Sequence, residues 1–247
     1  AQAFVPTALC PTLAPLFQQF NFQSNVSPSL TLATILGLQC LLFLVTYNDP
    51  MQGPRWMAWG GDVTNTRYAA QGGLTAADLP RLKLKWAFGF PSGVSANAQP
   101  TVASGRVFVG SDNGFVYSMD AKTGCVYWSF EAKGGVRTAI SIGAIKTATG
   151  SRYAVYFGDL KANVFAVDAE TGAQIWTARA DAHRFARITG APTLFNGKLY
   201  VPVSSFEEGA GSNDAYECCT FRGSVAAYDA NTGKLAWQTF TIDAPKP

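Results

Sequence analysis

Two adjacent cysteines, Cys218 and Cys219, are the residues whose types and spacing most clearly suggest chemistry in this chain. Neighbouring thiols can bond to each other, although a trans peptide holds adjacent Cα atoms about 3.8 Å apart and ordinary disulfides span roughly 4.4–6.8 Å. A ring closed in this way would be readily reduced and would persist only in an oxidising compartment. The alternative is a pair of ordinary buried cysteines, and the two residues alone do not decide between them.

Other side chains with metal-binding or catalytic potential are few. The five cysteines show no CxxC spacing, so neither a zinc site nor a c-type haem attachment is indicated. The single histidine, His183, is too little for a histidine-based metal centre or a Ser-His-Asp arrangement, and we expect an ordinary loop residue. Glu207, Glu208 and Glu217 lie near the cysteine pair and could bind calcium, but we expect all three to be solvated because loop carboxylates usually are.

The composition indicates a globular, β-rich protein. The chain has 247 residues, enough for one large domain or two small ones, with 13% aromatic and 14% charged residues. Its net charge of +3 is small and the basic residues are scattered, which argues against a nucleic-acid partner.

The first 48 residues contain no Lys, Arg, Asp or Glu. Residues 30–47 form an apolar run near the lower length limit for a membrane-spanning helix. Neither a basic flank nor a signal-peptide cleavage site accompanies it, and residue 1 is not Met, so we expect the chain to begin inside a longer reading frame. Residues 1–50 are predicted to be a targeting or anchor segment, or else a non-native leader, and residues 51–247 to form the folded part.

A sequence repeat organises the folded part. Three segments share an aspartate, then Thr-Gly, then a tryptophan eight residues after the aspartate. They are "MDAKTGCVYW" (Met119–Trp128), "VDAETGAQIW" (Val167–Trp176) and "YDANTGKLAW" (Tyr228–Trp237). With a weaker end-strand at Trp86, the tryptophans step by 42, 48 and 61 residues, the period of a propeller blade.

The segments around each repeat predict β-hairpins. Val, Phe and Tyr alternate with other residues before each aspartate, as in half-buried strands. Asp-Ala-x-Thr-Gly suits a turn, because Asp accepts main-chain hydrogen bonds and Gly adopts positive φ. The pattern predicts an all-β propeller with about three to four blades present. In the longest interval, Phe206–Arg222 is predicted to be an inserted loop at one face, which places the cysteine pair on a loop.

Several segments resemble the pyrroloquinoline quinone (PQQ) dependent alcohol dehydrogenases. "WMAWGGDVTNTRYA" followed by "LTAADLPRLKLKWAF" is similar to their entry segment, and "DAxTGxxxW" to their propeller repeat. "HRFARITGAPTLFNGKLYVPVSSFEEG", leading into "YECCTFRGSVAAYDANTGK", resembles the polyvinyl alcohol dehydrogenase branch. The resemblance covers about Trp56 to Pro247 and implies the N-terminal part of an eight-bladed PQQ-type propeller.

The resemblance implies a cofactor role for five residues. In such enzymes adjacent cysteines form a ring disulfide that packs flat against PQQ, a role that Cys218 and Cys219 would take. PQQ carries three carboxylates, and guanidinium groups can bind carboxylates bidentately. Arg222, Arg187 and Arg137 are the candidates, with solvated surface arginines as the alternative.

The same resemblance implies the reaction and its setting. The expected enzyme oxidises a secondary hydroxyl, passes electrons to a cytochrome c and works in the periplasm, with PQQ and calcium as cofactors. The catalytic base and the calcium ligands are expected beyond Pro247, so no catalytic or metal-binding residue is assigned. A membrane contact is expected only if the apolar run is native.

A non-catalytic propeller offers the alternative function. PQQ-like propellers also serve as scaffolds in outer-membrane assembly, without a cofactor. Such a scaffold has no use for adjacent cysteines or for arginines that face a cofactor, so the "ECCTFR" segment favours the enzyme.

Overall fold

The computed structural model describes residue 53 and residues 55–62, 64–69, 72–147 and 150–244. Within these ranges the regular structure is almost entirely β, as the repeat predicts. A 3₁₀ turn covers Ala76–Arg81, and a four-residue helix, α1, covers Glu207–Ala210. The apolar run at residues 30–47 lies outside the described residues, and none of the helices inside them has the length and apolarity to cross a membrane.

Thirteen strands in the described ranges form three antiparallel sheets, which follow one another along the chain as blades 1, 2 and 3. Blade 1 contains β1 (Thr101–Ala103), β2 (Arg106–Gly110), β3 (Phe115–Asp120) and β4 (Val126–Glu131). Blade 2 contains β5 (Ser141–Thr147), β6 (Gly150–Gly158), β7 (Asn163–Asp168) and β8 (Gln174–Arg179). Blade 3 contains β9 (Ala186–Arg187), β10 (Thr193–Phe195), β11 (Lys198–Ser205), β12 (Ser224–Asp229) and β13 (Leu235–Phe240).

Each blade is a four-stranded meander, which confirms the predicted all-β fold and its hairpins. Strand order is β1-β2-β3-β4, β5-β6-β7-β8 and β10-β11-β12-β13. The short strand β9 is an addition that the sequence did not predict, and it pairs with the far end of β11 through Ser204 and Ser205. The described sheets form three consecutive blades and do not close into a ring.

The Asp-Ala-x-Thr-Gly motif forms the turn between the third and fourth strand of each blade. In blade 2 the Asp168 carboxylate accepts hydrogen bonds from the N–H groups of Glu170 and Thr171, at 3.0 and 2.8 Å, and from the Thr171 hydroxyl at 2.9 Å. Asp120 and Asp229 make the same three bonds in blades 1 and 3. The aspartate therefore replaces the main-chain partners that the turn lacks.

The tryptophan of each repeat docks on the turn of the next blade. Trp128 of blade 1 donates its indole N–H to the Ala169 carbonyl at 3.1 Å, and Trp176 of blade 2 donates to Ala230 at 2.9 Å. The ring covers the glycine of the same turn, so that a Cβ on Gly172 would lie 2.8 Å from Trp128. Glycine is required there because it leaves room for the ring and accepts a φ of +77°.

Apolar clusters fill the spaces between neighbouring blades. The cluster between blades 1 and 2 contains Phe108, Trp128, Phe157 and Phe165, and the cluster between blades 2 and 3 contains Tyr156, Trp176 and Tyr228. Each tryptophan is only 8% exposed. Large aromatic rings suit this position because they span the gap between two sheets.

The first and last tryptophans of the series differ from the middle pair. The predicted end-strand at Trp86 is wrong, because no strand forms there. Its indole N–H nevertheless donates to the Ala121 carbonyl at 3.1 Å, and its ring covers Gly124. Trp237 of blade 3 is 42% exposed. The ring of Trp86, the first of the four tryptophans, is therefore docked on a turn, whereas the ring of Trp237, the last, is uncovered among the described residues.

Candidate functional site

The cysteine pair lies at the end of blade 3, where β11 ends and β12 begins. Because neighbouring strands run antiparallel, the connections from β4 to β5 and from β8 to β9 lie at the corresponding ends of blades 1 and 2. Val136 and Ile188 anchor these connections through N–H bonds to Ser111 and Asp159, at 2.8 and 3.0 Å. The segments carrying the five candidate cofactor residues therefore come from one face of the propeller.

Cys218 and Cys219 are joined by a disulfide, and both residues are exposed. The peptide bond between them is cis. The alternative of two ordinary buried cysteines is therefore wrong for this chain. A Cβ on Gly211, at the end of α1, would lie 3.0 Å from the Cys218 sulfur, so the helix packs closely against the pair.

The three candidate arginines differ in how far their side chains are fixed. Arg222 donates through Nε to the Ile242 carbonyl at 3.0 Å, and its guanidinium lies 4.1 Å from the ring centre of Phe240. Arg187 lies 4.1 Å from the ring centre of Phe206. Such stacking leaves the edge of a guanidinium available for an anion.

Arg137 is exposed and follows Val136 directly, whereas Arg187 directly precedes the equivalent apolar residue, Ile188. The hydroxyl of Thr138, beside Arg137, is buried and bonded to the Gly158 main chain. A cofactor role for Arg137, Arg187 and Arg222 stays a prediction.

Glu207 contradicts the expectation of a solvated carboxylate. It is the first residue of α1 and is 3% exposed. Its Oε1 accepts hydrogen bonds from the Tyr216 hydroxyl and the Thr220 N–H, both at 2.7 Å, and its Oε2 accepts one from the Phe221 N–H at 2.7 Å. The inserted loop folds back over α1, so its donors replace the water that would otherwise solvate the carboxylate. Glu208 and Glu217 are exposed, as expected.

Glu207 has a low pKa because its hydrogen bonds outweigh its burial. Burial raises the pKa of a carboxyl group. The Thr220 N–H, the Tyr216 hydroxyl, the Phe221 N–H and His183 together lower that of Glu207 from 4.5 to about 2. The carboxylate is therefore ionised at any pH at which the protein would work.

His183 is also more than an ordinary loop residue. Its Nε2 lies 3.0 Å from the Thr220 hydroxyl and 3.7 Å from Glu207 Oε1, and its ring packs edge-on against Phe221. Its Nδ1 accepts the Phe185 N–H at 3.2 Å, so in the neutral ring the proton sits on Nε2 and faces the carboxylate side. His183 thus supports the cysteine loop from the β8–β9 connection.

Across the described residues, no group of three or more His, Cys, Asp or Glu side chains is arranged to hold a metal ion. No calcium ligand is therefore assigned.

The role of Glu207 carried no recognisable sequence signal. Its main-chain donors lie thirteen and fourteen residues later in a loop without a repeat, and nothing in "FEEG" separates Glu207 from Glu208. The single histidine, with an aromatic residue two positions later, is the one weak hint, because His183 contacts Thr220 of this loop and Phe185 contacts Tyr216.

The successive sheets, aspartate turns and docked tryptophans define a β-propeller of the PQQ-repeat class. A family model, PQQ_2, described as outer membrane protein assembly factor BamB, matches residues 48–218, and the chain belongs to this family.

Two relatives extend the comparison to enzymes. The chain is 44% identical to a polyvinyl alcohol dehydrogenase of a Pseudomonas species over 76% of its own length and 29% of the relative's. It is 41% identical to a polyvinyl alcohol dehydrogenase of a Sphingopyxis species over 78% and 29% of the two lengths. The chain thus spans less than a third of the relatives it matches.

Among solved structures, the crystal structure of quinohemoprotein alcohol dehydrogenase from Comamonas testosteroni aligns with a TM-score of 0.63 and 26% identity. The alignment covers 81% of this chain and 29% of that one. The predicted resemblance to quinoprotein alcohol dehydrogenases is therefore confirmed.

Proposed function

We propose that the chain is the N-terminal part of a PQQ-dependent alcohol dehydrogenase that oxidises secondary hydroxyl groups of the polyvinyl alcohol type. The disulfide between Cys218 and Cys219 carries the proposal, because it is exposed on a loop at the face shared by the candidate arginines. Relatives that are 41% and 44% identical bear the name of such an enzyme, which supports the substrate class.

The described residues suit PQQ as a ligand. An exposed disulfide offers a compact, polarizable surface for a flat ring system. Arg187 on β9 and Arg222 before β12 both belong to blade 3, and Arg137 lies in the β4–β5 connection between blades 1 and 2. All three come from one face and can bind carboxylates around the rim of the cofactor. Binding would thus combine stacking on the disulfide with charged contacts from blade 3 and from the β4–β5 connection.

In this proposal the chain binds and orients the cofactor. When bound, PQQ would supply the oxidising chemistry for the alcohol. Cys218 and Cys219 fix one face of it, and the arginines fix its carboxylates and balance their charge. No residue of this chain is proposed as the base that takes the hydroxyl proton.

The setting follows from the same proposal. A disulfide persists in an oxidising compartment, which favours the periplasm. The electrons would leave for a cytochrome c, and calcium would be bound by residues outside those described.

A non-catalytic scaffold is the second candidate, supported by the description of the matching family model. Equilibrium dialysis of the chain against PQQ with Ca²⁺ separates the two functions. The enzyme proposal expects saturable binding that falls at least tenfold in affinity when Cys218 and Cys219 are both replaced by Ser. Absence of binding both to the unmodified chain and to the full-length protein that contains it would favour the scaffold, because the enzyme proposal places the calcium ligands outside this chain.

Alkylation tests the disulfide itself. We expect iodoacetamide to label neither Cys218 nor Cys219 in the folded, unreduced chain, and to label both after reduction, as read by peptide mass. Cys125, which is free, serves as the internal control because its labelling after unfolding does not depend on reduction. Labelling of Cys218 and Cys219 without reduction would show that the disulfide on which PQQ is proposed to stack is absent.

A further inference from the structure

We propose that Glu207 is the positioning residue of the cysteine loop: its buried carboxylate holds the Cys218–Cys219 disulfide in place and ties it to the segment that carries Arg187. This inference rests on the proposed function, since it concerns the same cofactor site. It gives a role to a carboxylate that contacts neither of the sulfurs directly.

Glu207 holds the cysteine loop on both sides of the disulfide. Tyr216, two residues before Cys218, donates its hydroxyl to Glu207 Oε1 at 2.7 Å. Thr220 and Phe221, directly after Cys219, donate their N–H groups to the two carboxylate oxygens, each at 2.7 Å. Hydrogen bonds to an ionised carboxylate are shorter and stronger than those between neutral groups. The loop is therefore fixed before and after the two cysteines by one side chain.

The same carboxylate also lies close to the β8–β9 connection. His183 Nε2 lies 3.7 Å from Glu207 Oε1 and 3.0 Å from the Thr220 hydroxyl. The guanidinium of Arg184 lies 5.2 Å from the ring centre of Tyr216, the residue that donates to Glu207. Glu207 is thus the point where the cysteine loop and the β8–β9 connection meet.

Phe206, next to Glu207, connects this contact to Arg187. Phe206, which precedes Glu207, donates its N–H to the Phe185 carbonyl at 3.0 Å, and its ring lies 4.1 Å from the Arg187 guanidinium. The start of α1 therefore touches the strand that carries a candidate cofactor arginine. A shift of Glu207 would change the distance between this arginine and the disulfide.

Glu207 has little room for another role. Both of its oxygens accept hydrogen bonds, and the side chain is 3% exposed, so it does not reach solvent as a free ligand would. Glu208, one residue further along the same helix, is exposed. The pair therefore provides a matched control with the same chemistry and a different environment.

The test compares Glu207→Gln with Glu208→Gln in the full chain. Amide hydrogen exchange of Thr220 and Phe221 measures the hold on the loop, and titration with PQQ in the presence of Ca²⁺ measures cofactor affinity. The absorption spectrum at saturating PQQ reports on the placement of the cofactor in the occupied site. For Glu207→Gln we expect exchange at least tenfold faster, PQQ affinity at least tenfold weaker and a shifted spectrum. For Glu208→Gln we expect all three to match the unmodified chain.

The outcomes separate the positioning role from the proposed function. If neither the unmodified chain nor the full-length protein that contains it binds PQQ, the proposed function and the cofactor part of this inference fail, while amide exchange still decides whether Glu207 holds the loop. Unchanged exchange in Glu207→Gln would overturn the hold itself. Faster exchange with unchanged affinity and spectrum would reduce Glu207 to a purely structural residue and overturn the positioning role.

Tyr216→Phe covers the case in which Glu207→Gln fails to fold. This variant removes one of the three short bonds to Glu207 and keeps the aromatic packing. We expect a loss of PQQ affinity of roughly threefold to tenfold, less than the full effect of a hydrogen bond to a charged group, because Glu207 Oε1 keeps its bond from the Thr220 N–H. Affinity and spectrum equal to those of the unmodified chain would count against the inference.

Discussion

At the residue scale, buried or turn carboxylates shape this protein by gathering main-chain N–H groups. Asp168 does so within a five-residue turn, and Glu207 does so across a loop of more than a dozen residues. The cost of removing a carboxylate from water is offset where several donors converge on it. The two cases differ in the separation along the chain between the carboxylate and its donors. The main-chain donors to Glu207 lie beyond the two cysteines, so its hydrogen bonds fix the disulfide.

Because the pKa of Glu207 is low, the contribution of its carboxylate to the free energy of unfolding depends on pH. The folded-state pKa of about 2 lies below the ordinary value of 4.5, so the contribution is complete above about pH 4.5 and is lost progressively as the pH falls towards 2. We expect the difference in free energy of unfolding between the unmodified chain and Glu207→Gln to be larger at pH 7 than at pH 3. Urea unfolding at both pH values measures it.

Glu208→Gln is the control for this pH dependence, because its carboxylate is exposed on the same helix. We expect it to follow the unmodified chain at both pH values. A difference between Glu207→Gln and the unmodified chain that did not shrink in acid would show that the charge of Glu207 is not what stabilises the loop.

At the element scale, the unit of this fold is a turn that accepts a ring from the neighbouring blade. The repeat of Asp, Thr-Gly and Trp predicted these turns because each of those residue types answers a local requirement. The end-strand predicted at Trp86 does not form, although the indole of Trp86 docks on the turn of blade 1. The sequence could not predict β9, since Ala186–Arg187 gains its partner only when the end of β11 comes near.

The candidate site was predictable only where chemistry showed in the residue types themselves. The adjacent cysteines alone left open whether they form a disulfide or are two ordinary buried residues, and the resemblance to PQQ-dependent dehydrogenases implied the disulfide. Their position in an over-long interval between repeats predicted that they lie on a loop. Glu207 and His183 escaped prediction because their roles arise from contacts between segments that share no local pattern. Tertiary contacts between distant segments produce no periodic pattern in the sequence.

Substitution of the turn glycine tests the docking of the tryptophan. In Gly172→Ala the new methyl group meets the Trp128 ring and the residue must keep a φ of +77°. We expect a loss of about 2–4 kcal/mol in the free energy of unfolding, from backbone strain and overpacking together. Thermal or urea unfolding measures it.

Gly105→Ala is the matched control, because Gly105 has a similar φ of +72° and open space around its Cβ position. Its cost should be about 1 kcal/mol, the backbone part alone. Equal costs for Gly105→Ala and Gly172→Ala would mean that the contact with Trp128 adds nothing.

At the scale of the whole molecule, the last described blade presents an uncovered apolar surface. Its members share a place on β13 or directly after it and are all more than 40% exposed: Leu235, Trp237, Phe240 and Ile242. In blades 1 and 2 the equivalent tryptophans are covered by the turn of the next blade.

The cost of losing a tryptophan should therefore depend on its place in the series. Trp176→Ala removes a ring that is 8% exposed and bonded to Ala230, and we expect a loss of about 3–5 kcal/mol in the free energy of unfolding. Trp237→Ala removes a ring that is 42% exposed and should cost clearly less. Urea unfolding of the two variants compares them, and equal costs would contradict the docking of Trp176 as a main contact between blades.

The docking of each ring on the next turn has a thermodynamic consequence. Because a blade contacts only its immediate neighbours, stability should be distributed along the chain as in a one-dimensional array, with one term for each sheet and one for each junction. A defect at the junction between blades 1 and 2 would then leave the junction between blades 2 and 3 intact. Unfolding would then advance from blade to blade through these junctions, rather than spread at once through a common core.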